Sequence, residues 1–138
     1  MVPQKSKLNE ETLRILQRIL ATYPEIRLAL VFGSLAEGKG RPESDLDLAV
    51  DAGSPLLPKE RFALVDSLAE ALGRPVDLID LHRTRPGLLG QILRTGVRIK
   101  GTAADQAYWM TRCVVDSEDF LPGLRALLAQ RRKRWIGG

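Results

Sequence analysis

Val31-Phe32-Gly33-Ser34-Leu35-Ala36-Glu37-Gly38-Lys39-Gly40-Arg41-Pro42-Glu43-Ser44-Asp45-Leu46-Asp47-Leu48 decides how this 138-residue chain is to be read. Gly33 through Lys39 matches G-x-x-x-x-G-K directly after an apolar run, which invites a P-loop reading. Gly40 then stands where a P-loop needs a Ser or Thr hydroxyl for magnesium. Gly40 and Pro42 also break any long helix, whose N-terminus would form part of the phosphate cradle. The P-loop reading fails. The same glycines fit a bend at the end of a strand. There the Gly33-Ser34 turn offers backbone N–H groups and a hydroxyl to an anion, and Gly33 lets it come close. Beyond the loop, Leu46, Leu48 and Val50 alternate with Asp45, Asp47, Ala49 and Asp51, the period of a strand. Asp45 and Asp47 therefore project from one face, with Cα atoms about 6.6 Å apart.

Working outward, Ile26–Phe32 is a nearly continuous apolar run broken only by Arg27, as expected of a strand covered on both faces. Upstream, Asn9 followed by Glu10 and Glu11 marks a helix start, with a stripe at Leu13, Leu16 and Leu20 ending before Pro24. Downstream, Pro58 opens a helix whose expected apolar positions are Phe62, Val65, Leu68 and Leu72, stopped by Gly73. Val76–Leu81 reads as a strand, Pro86–Arg94 as a helix and Val97–Lys100 as a short edge strand. Ala103–Val115 and Leu121–Trp135 read as helices. The resulting order, α-β-β-α-β-α-β-α-α, predicts a small α/β (α+β) domain: a short mixed sheet flanked by helices. One domain over 1–138 is expected, with a core at 8–100 and a helical C-terminal extension at 101–138.

Hard carboxylate oxygens on neighbouring strands suit Mg²⁺ or Mn²⁺. Two such ions roughly 3.5–4 Å apart can stabilise the entering and leaving oxygens of an in-line displacement. A third acid is therefore sought. Asp77 lies within the apolar run Val76–Leu81, where a carboxylate is costly unless paired or bound to metal. It is preferred over Asp80, which sits at the strand end as an ordinary loop acid.

Composition sets the remaining bounds. The chain is 44% hydrophobic and 28% charged with a net charge of +4, ordinary for a globular domain. No apolar stretch approaches the roughly 20 residues of a membrane helix, and Met1–Lys7 leads into no apolar signal core. Cys113, the one cysteine, can build neither an internal disulfide nor a thiolate metal site, which fits a reducing cytoplasm. The charge excess lies largely in Arg131-Arg132-Lys133-Arg134, read as a solvated face; a nucleic-acid partner is not expected.

Gly33-Ser34, Ala36 and Gly38, followed by Ser44-Asp45-Leu46-Asp47-Leu48, resemble the G-S-x-A-x-G…S-D-x-D-L signature of the polymerase-β-like nucleotidyltransferases. The short chain resembles the minimal MNT or MntA-like type, typically encoded beside HEPN-domain toxins. The resemblance implies that Gly33 and Ser34 hold nucleotide phosphates, with Ser44 beside them, and that Asp45, Asp47 and Asp77 are the catalytic, metal-binding acids. It implies Mg²⁺, as two ions, and ATP as co-substrate. Asp77's counterpart orients or deprotonates the attacking hydroxyl. It further implies an antitoxin that moves AMP from ATP onto a tyrosine of a HEPN toxin, alone or within an oligomer. Glu37 departs from the Arg or Lys of many relatives, which leaves Lys39 and Arg41 as candidate triphosphate contacts. Two other functions are weighed: nucleotidyl transfer to a small molecule or RNA end, and neutralisation of the toxin by binding alone.

The other singled-out residues have structural expectations. His82, without metal-ligand spacing, is expected on a surface loop. Asp51 is expected to be solvated, Cys113 to pack on a helix face, and Tyr108, Trp109, Phe120 and Trp135 to pack rather than bind.

Overall fold

The computed structural model describes residues 9–33 and 45–116. The first helix, α1 (Glu10–Leu20), starts where Asn9 accepts the backbone N–H of Glu11 at 2.7 Å, satisfying one of the donors a helix N-terminus leaves over. Strand β1 (Leu28–Phe32) begins two residues later than the apolar run suggested. After the loop come β2 (Leu46–Asp51), α2 (Pro58–Leu72) and β3 (Val76–Asp80). A 3₁₀ turn (Leu81–Arg83), α3 (Pro86–Thr95), β4 (Val97–Lys100) and α4 (Ala103–Asp116) follow. Pro58 occupies the first turn of α2, and Gly73 ends it in the left-handed region at φ +67°. The helix expected at Leu121–Trp135 lies outside the described residues.

The four strands form one mixed sheet in the order β3-β2-β1-β4. β1 runs antiparallel to both β2 and β4, while β2 and β3 are parallel, joined by α2 as the crossover. Val97–Lys100 is an edge strand, as its position in the chain suggested. Two apolar cores lie on opposite faces of this sheet. On one face Val31, Leu48, Val50 and Leu78 pack against Leu16 and Leu20 of α1 and Leu64 and Leu68 of α2. On the other, Leu28, Leu30 and Ala49 meet Leu89, Ile92 and Leu93 of α3 and Trp109 and Cys113 of α4. The packing thus runs on past residue 100 into α4, where Cys113 also donates its thiol to the Pro86 carbonyl.

One packing expectation is corrected. Phe62 is 73% exposed, and the buried positions of α2 are Leu64 and Leu68. The helix is rotated so that the i, i+4 leucine pair faces the sheet, with Val65 and Leu72 half-buried beside it.

Candidate active site

Strand alternation places the chemistry. Leu46, Leu48 and Val50 face the α1/α2 core, so Asp45, Asp47, Ala49 and Asp51 face the side of α3 and α4. On β3, Leu78 faces α1/α2 and Asp77 shares the parity of Ile79, which packs on the α3/α4 side. The parallel register sets Asp47 directly beside Asp77, and the antiparallel register sets Phe32, the residue before the bend, beside Asp47. Three separate elements therefore converge on the Asp47 carboxylate.

Asp47 and Asp77 stand side by side on neighbouring strands, and the charges of Asp77 and Asp45 both act on the Asp47 carboxyl. Burial, then the charges of Asp77 and Asp45, push the Asp47 carboxyl above its ordinary value of 3.8. Like charges held together disfavour full ionisation. Asp45 and Asp77 are exposed and Asp47 is half-buried, so the cluster opens to solvent. Among the described residues no three acidic, histidine or cysteine side chains are already drawn into a cation cage. The structure joins Asp47 with Asp77 and leaves Asp45 alongside them. Gly33 adopts φ +76°, a conformation open to glycine, and a Cβ there would strike Oδ2 of Asp47. The bend is thus moulded on the carboxylate. Ser34, Lys39, Arg41 and Ser44 lie outside the described residues.

Divalent cations fit this donor set. The oxygens are hard, they belong to paired carboxyls whose mutual repulsion a cation relieves, and they face solvent. Asp47 and Asp77, with Asp45 beside them, are the residues that would hold such an ion.

Four strand residues further along the same face, the sequence reading needs correction. Asp51 is buried at 6% exposure, and its carboxylate collects three donors at 2.8 Å: Gly53 N–H, His82 Nε2 and Trp109 Nε1. Burial alone would raise its pKa. The hydrogen bonds from Trp109, Gly53 and His82, with the His82 charge, outweigh that and hold it below 3.8. An ionised Asp51 can only accept, so His82 carries its proton on Nε2. His82 is accordingly a half-buried member of this network, edge-on to Trp109 with ring centroids 4.9 Å apart. Trp109 packs, as expected, at 1% exposure. Asp80 is likewise a buried anchor: Oδ2 accepts Leu56 N–H at 2.8 Å and Oδ1 accepts His82 N–H at 2.9 Å. Its sequence neighbours gave no sign of this, because the Leu56 partner is 24 residues away.

A small mixed sheet with paired acids at a glycine bend defines the nucleotidyltransferase class, and comparison with known proteins agrees. The family model described as polymerase beta, nucleotidyltransferase matches residues 15–105, and the chain belongs to that family. Among curated proteins, it is 32% identical over 108 residues to the protein adenylyltransferase MntA of Shewanella oneidensis, covering 78% of this chain and 76% of that protein. Among solved structures, it resembles a chain from a crystal structure of a toxin–antitoxin with AMP-PNP: TM-score 0.72, 26% identity, 87% of this chain and 98% of the other. It also resembles a chain from the tri-AMPylated HEPN toxin of Shewanella oneidensis in complex with its MNT antitoxin. There the TM-score is 0.68 with 25% identity, over 89% of this chain and 98% of that one.

Proposed function

We propose that the chain is an antitoxin that transfers AMP from ATP to a tyrosine hydroxyl of a cognate HEPN-domain toxin, acting in the cytoplasm. The observation that carries this reading is the pairing of Asp47 with Asp77 beside the Gly33 bend, in a chain one-third identical to a protein adenylyltransferase. In the reaction the tyrosine oxygen bonds to the α-phosphorus of ATP, the bond to pyrophosphate breaks, and the phenolic proton leaves. Gly33, without a side chain, lets the nucleotide phosphates approach β1; the residues assigned to bind those phosphates with it are Ser34 and Ser44, with Lys39 and Arg41 for charge. Asp45, Asp47 and Asp77 would hold Mg²⁺, as two ions, which supply charge neutralisation at the phosphoryl group. Asp77, exposed at the rim, orients the incoming hydroxyl and accepts its proton. The rest of the chain's contribution is positioning on a rigid sheet.

The test is transfer from ATP labelled at the α-phosphate, in Mg²⁺, to the cognate HEPN-domain toxin. The expected result is covalent label on a toxin tyrosine, reduced by roughly 10²-fold or more in Asp77→Asn and abolished in Asp47→Asn. Label on an RNA end or small molecule, with none on the toxin, would replace the acceptor. Full protection of cells by a variant lacking all three acids would replace catalysis with binding.

A further inference from the structure

The fold restricts the direction from which a protein acceptor can reach the site. Asp45, Asp47 and Asp77 face the α3/α4 side, and the opposite face of the sheet is sealed by α1 and α2. The outward faces of α3 and α4 are set apart by the sign of their charge rather than by apolar exposure, since Leu57 and Phe62 are exposed at α2 as well. The α3/α4 side exposes Leu88, Tyr108 and Val115, with Tyr108 at 60%, and the cations Arg85, Arg94 and Arg112. Between Arg83 and Val115 the chain has one acid, Asp105, and its carboxylate is engaged by Thr102. The outward faces of α1 and α2 instead mix both signs, as in Glu11, Arg14, Lys59, Glu60, Asp66 and Glu70. Arginine and tyrosine among aliphatic side chains, with few acids or lysines, is the composition of a protein-binding surface.

We infer that this outward face of α3 and α4 docks an acidic surface of the tyrosine-bearing toxin and so presents its hydroxyl to the Asp47/Asp77 site. The inference rests on the function proposed above. Charge complementarity selects the partner's character: Arg85, Arg94 and Arg112, against Asp105 as the one acid between Arg83 and Val115, give this face a positive excess that attracts carboxylates. The apolar side chains between the cations favour protein over RNA, since among the described residues Tyr108 is the one exposed aromatic on this face and single-strand binding uses successive stacking platforms. The platform is also registered to the site. The Trp109 indole on α4 bonds Asp51 of β2, four residues, or about 13 Å of strand, from Asp47. A partner held on α4 is thereby fixed relative to the catalytic acids.

Full-length Leu88→Glu, Tyr108→Glu and Arg85→Glu, each checked by its melting curve, would be compared with Phe62→Glu on the opposite side. Arg112 is left unchanged because its guanidinium lies 4.9 Å from the Trp109 ring centroid. The expected result is a tenfold or greater rise in Kd for the toxin and in its KM, with KM for ATP and kcat at saturating toxin preserved. Phe62→Glu should change none of these. If toxin labelling occurs and is indifferent to all three α3/α4 variants, or falls only in Phe62→Glu, the docking surface is wrong and the reaction stands. If toxin binds through this face but is never labelled, the reaction is wrong and the surface stands. If single-stranded RNA binds the chain and loses affinity in Arg85→Glu while toxin binding does not, the face belongs to RNA and the proposal is overturned.

Discussion

Asp51→Ala should destabilise the fold by about 2–4 kcal/mol while leaving the Asp47/Asp77 pair in place. The magnitude follows from what each donor can do after the carboxylate is gone. Gly53 is exposed, so its N–H finds water at little cost. His82 is half-buried, with 15% of its side chain exposed, and recovers solvent in part. Trp109 cannot: at 1% exposure its indole N–H stays dry, and an unmet buried donor costs about 1–3 kcal/mol. The lost charge-assisted bond to His82 adds on the order of 1 kcal/mol net. Against a total stability of about 5–15 kcal/mol this is a large loss. Asp51→Asn should cost less, because the amide oxygen still accepts from Trp109 and the amide N–H₂ can donate to His82 once that ring shifts its proton. Urea unfolding followed by far-UV circular dichroism measures both variants. A double-mutant cycle with Trp109→Phe, which removes the donor itself, should return a coupling of about 1–3 kcal/mol. An Asp51→Ala loss below about 0.5 kcal/mol, within the range of ordinary surface changes, would refute the anchoring role. So would a cycle showing no coupling.

The other expectations concern the bend and the paired acids. Gly33→Ala forces an L-residue into the left-handed region, costing about 1–2 kcal/mol, and drives its Cβ against Asp47 Oδ2. A lowered melting temperature with transfer lost is expected, and full turnover in this variant would refute the moulded bend. For Asp47, a raised folded-state pKa means that ionisation opposes folding. The penalty is complete above the raised value and disappears below about 3.8, the ordinary value, so this group favours stability as pH falls through that window. Asp47→Asn should therefore raise the neutral-pH melting temperature and flatten its dependence on pH; a steeper dependence would contradict the assigned repulsion. Magnesium should raise the melting temperature of the natural chain and not of Asp47→Asn, since only a ligand that binds the folded state stabilises it.

Local grammar made much of the fold legible. Asn9 with Glu10 and Glu11 marks the true start of α1, and the alternation from Asp45 to Asp51 gives both β2 and its two faces. The parallel register sets Asp77 beside Asp47, but the cost of a carboxylate in an apolar strand was the wrong reason to expect it: Asp77 is exposed, and the buried carboxylate of β3 is Asp80. Phe62 misled because a spacing of three and four residues fits two neighbouring stripes of one helix, and only packing against β2 and β3 selects Leu64. Asp51 and His82 misled for a different reason. The local partner of Asp51, Gly53, reads as an ordinary turn, whereas the bonds that make the network, to Trp109 and His82, span 58 and 31 residues.

Asp47 and Asp51 show why residue type alone could not assign these roles. They occupy the same face of the same strand, and burial pushes both carboxyls upward in pKa. What separates them is the sign of their surroundings. At Asp47 two further carboxyls add to the effect of burial, whereas at Asp51 three donors overturn it. A fold gains nothing in stability from gathering acids at a solvent-open strand end without a cation, and perturbed groups of that kind concentrate at functional sites. The satisfied Asp51 needs no ligand to account for it, since its donors already answer its charge. The same strand thus holds an end crowded with acids and an anchored end, and α4, fastened to the anchored end through Trp109, is held in fixed relation to the other.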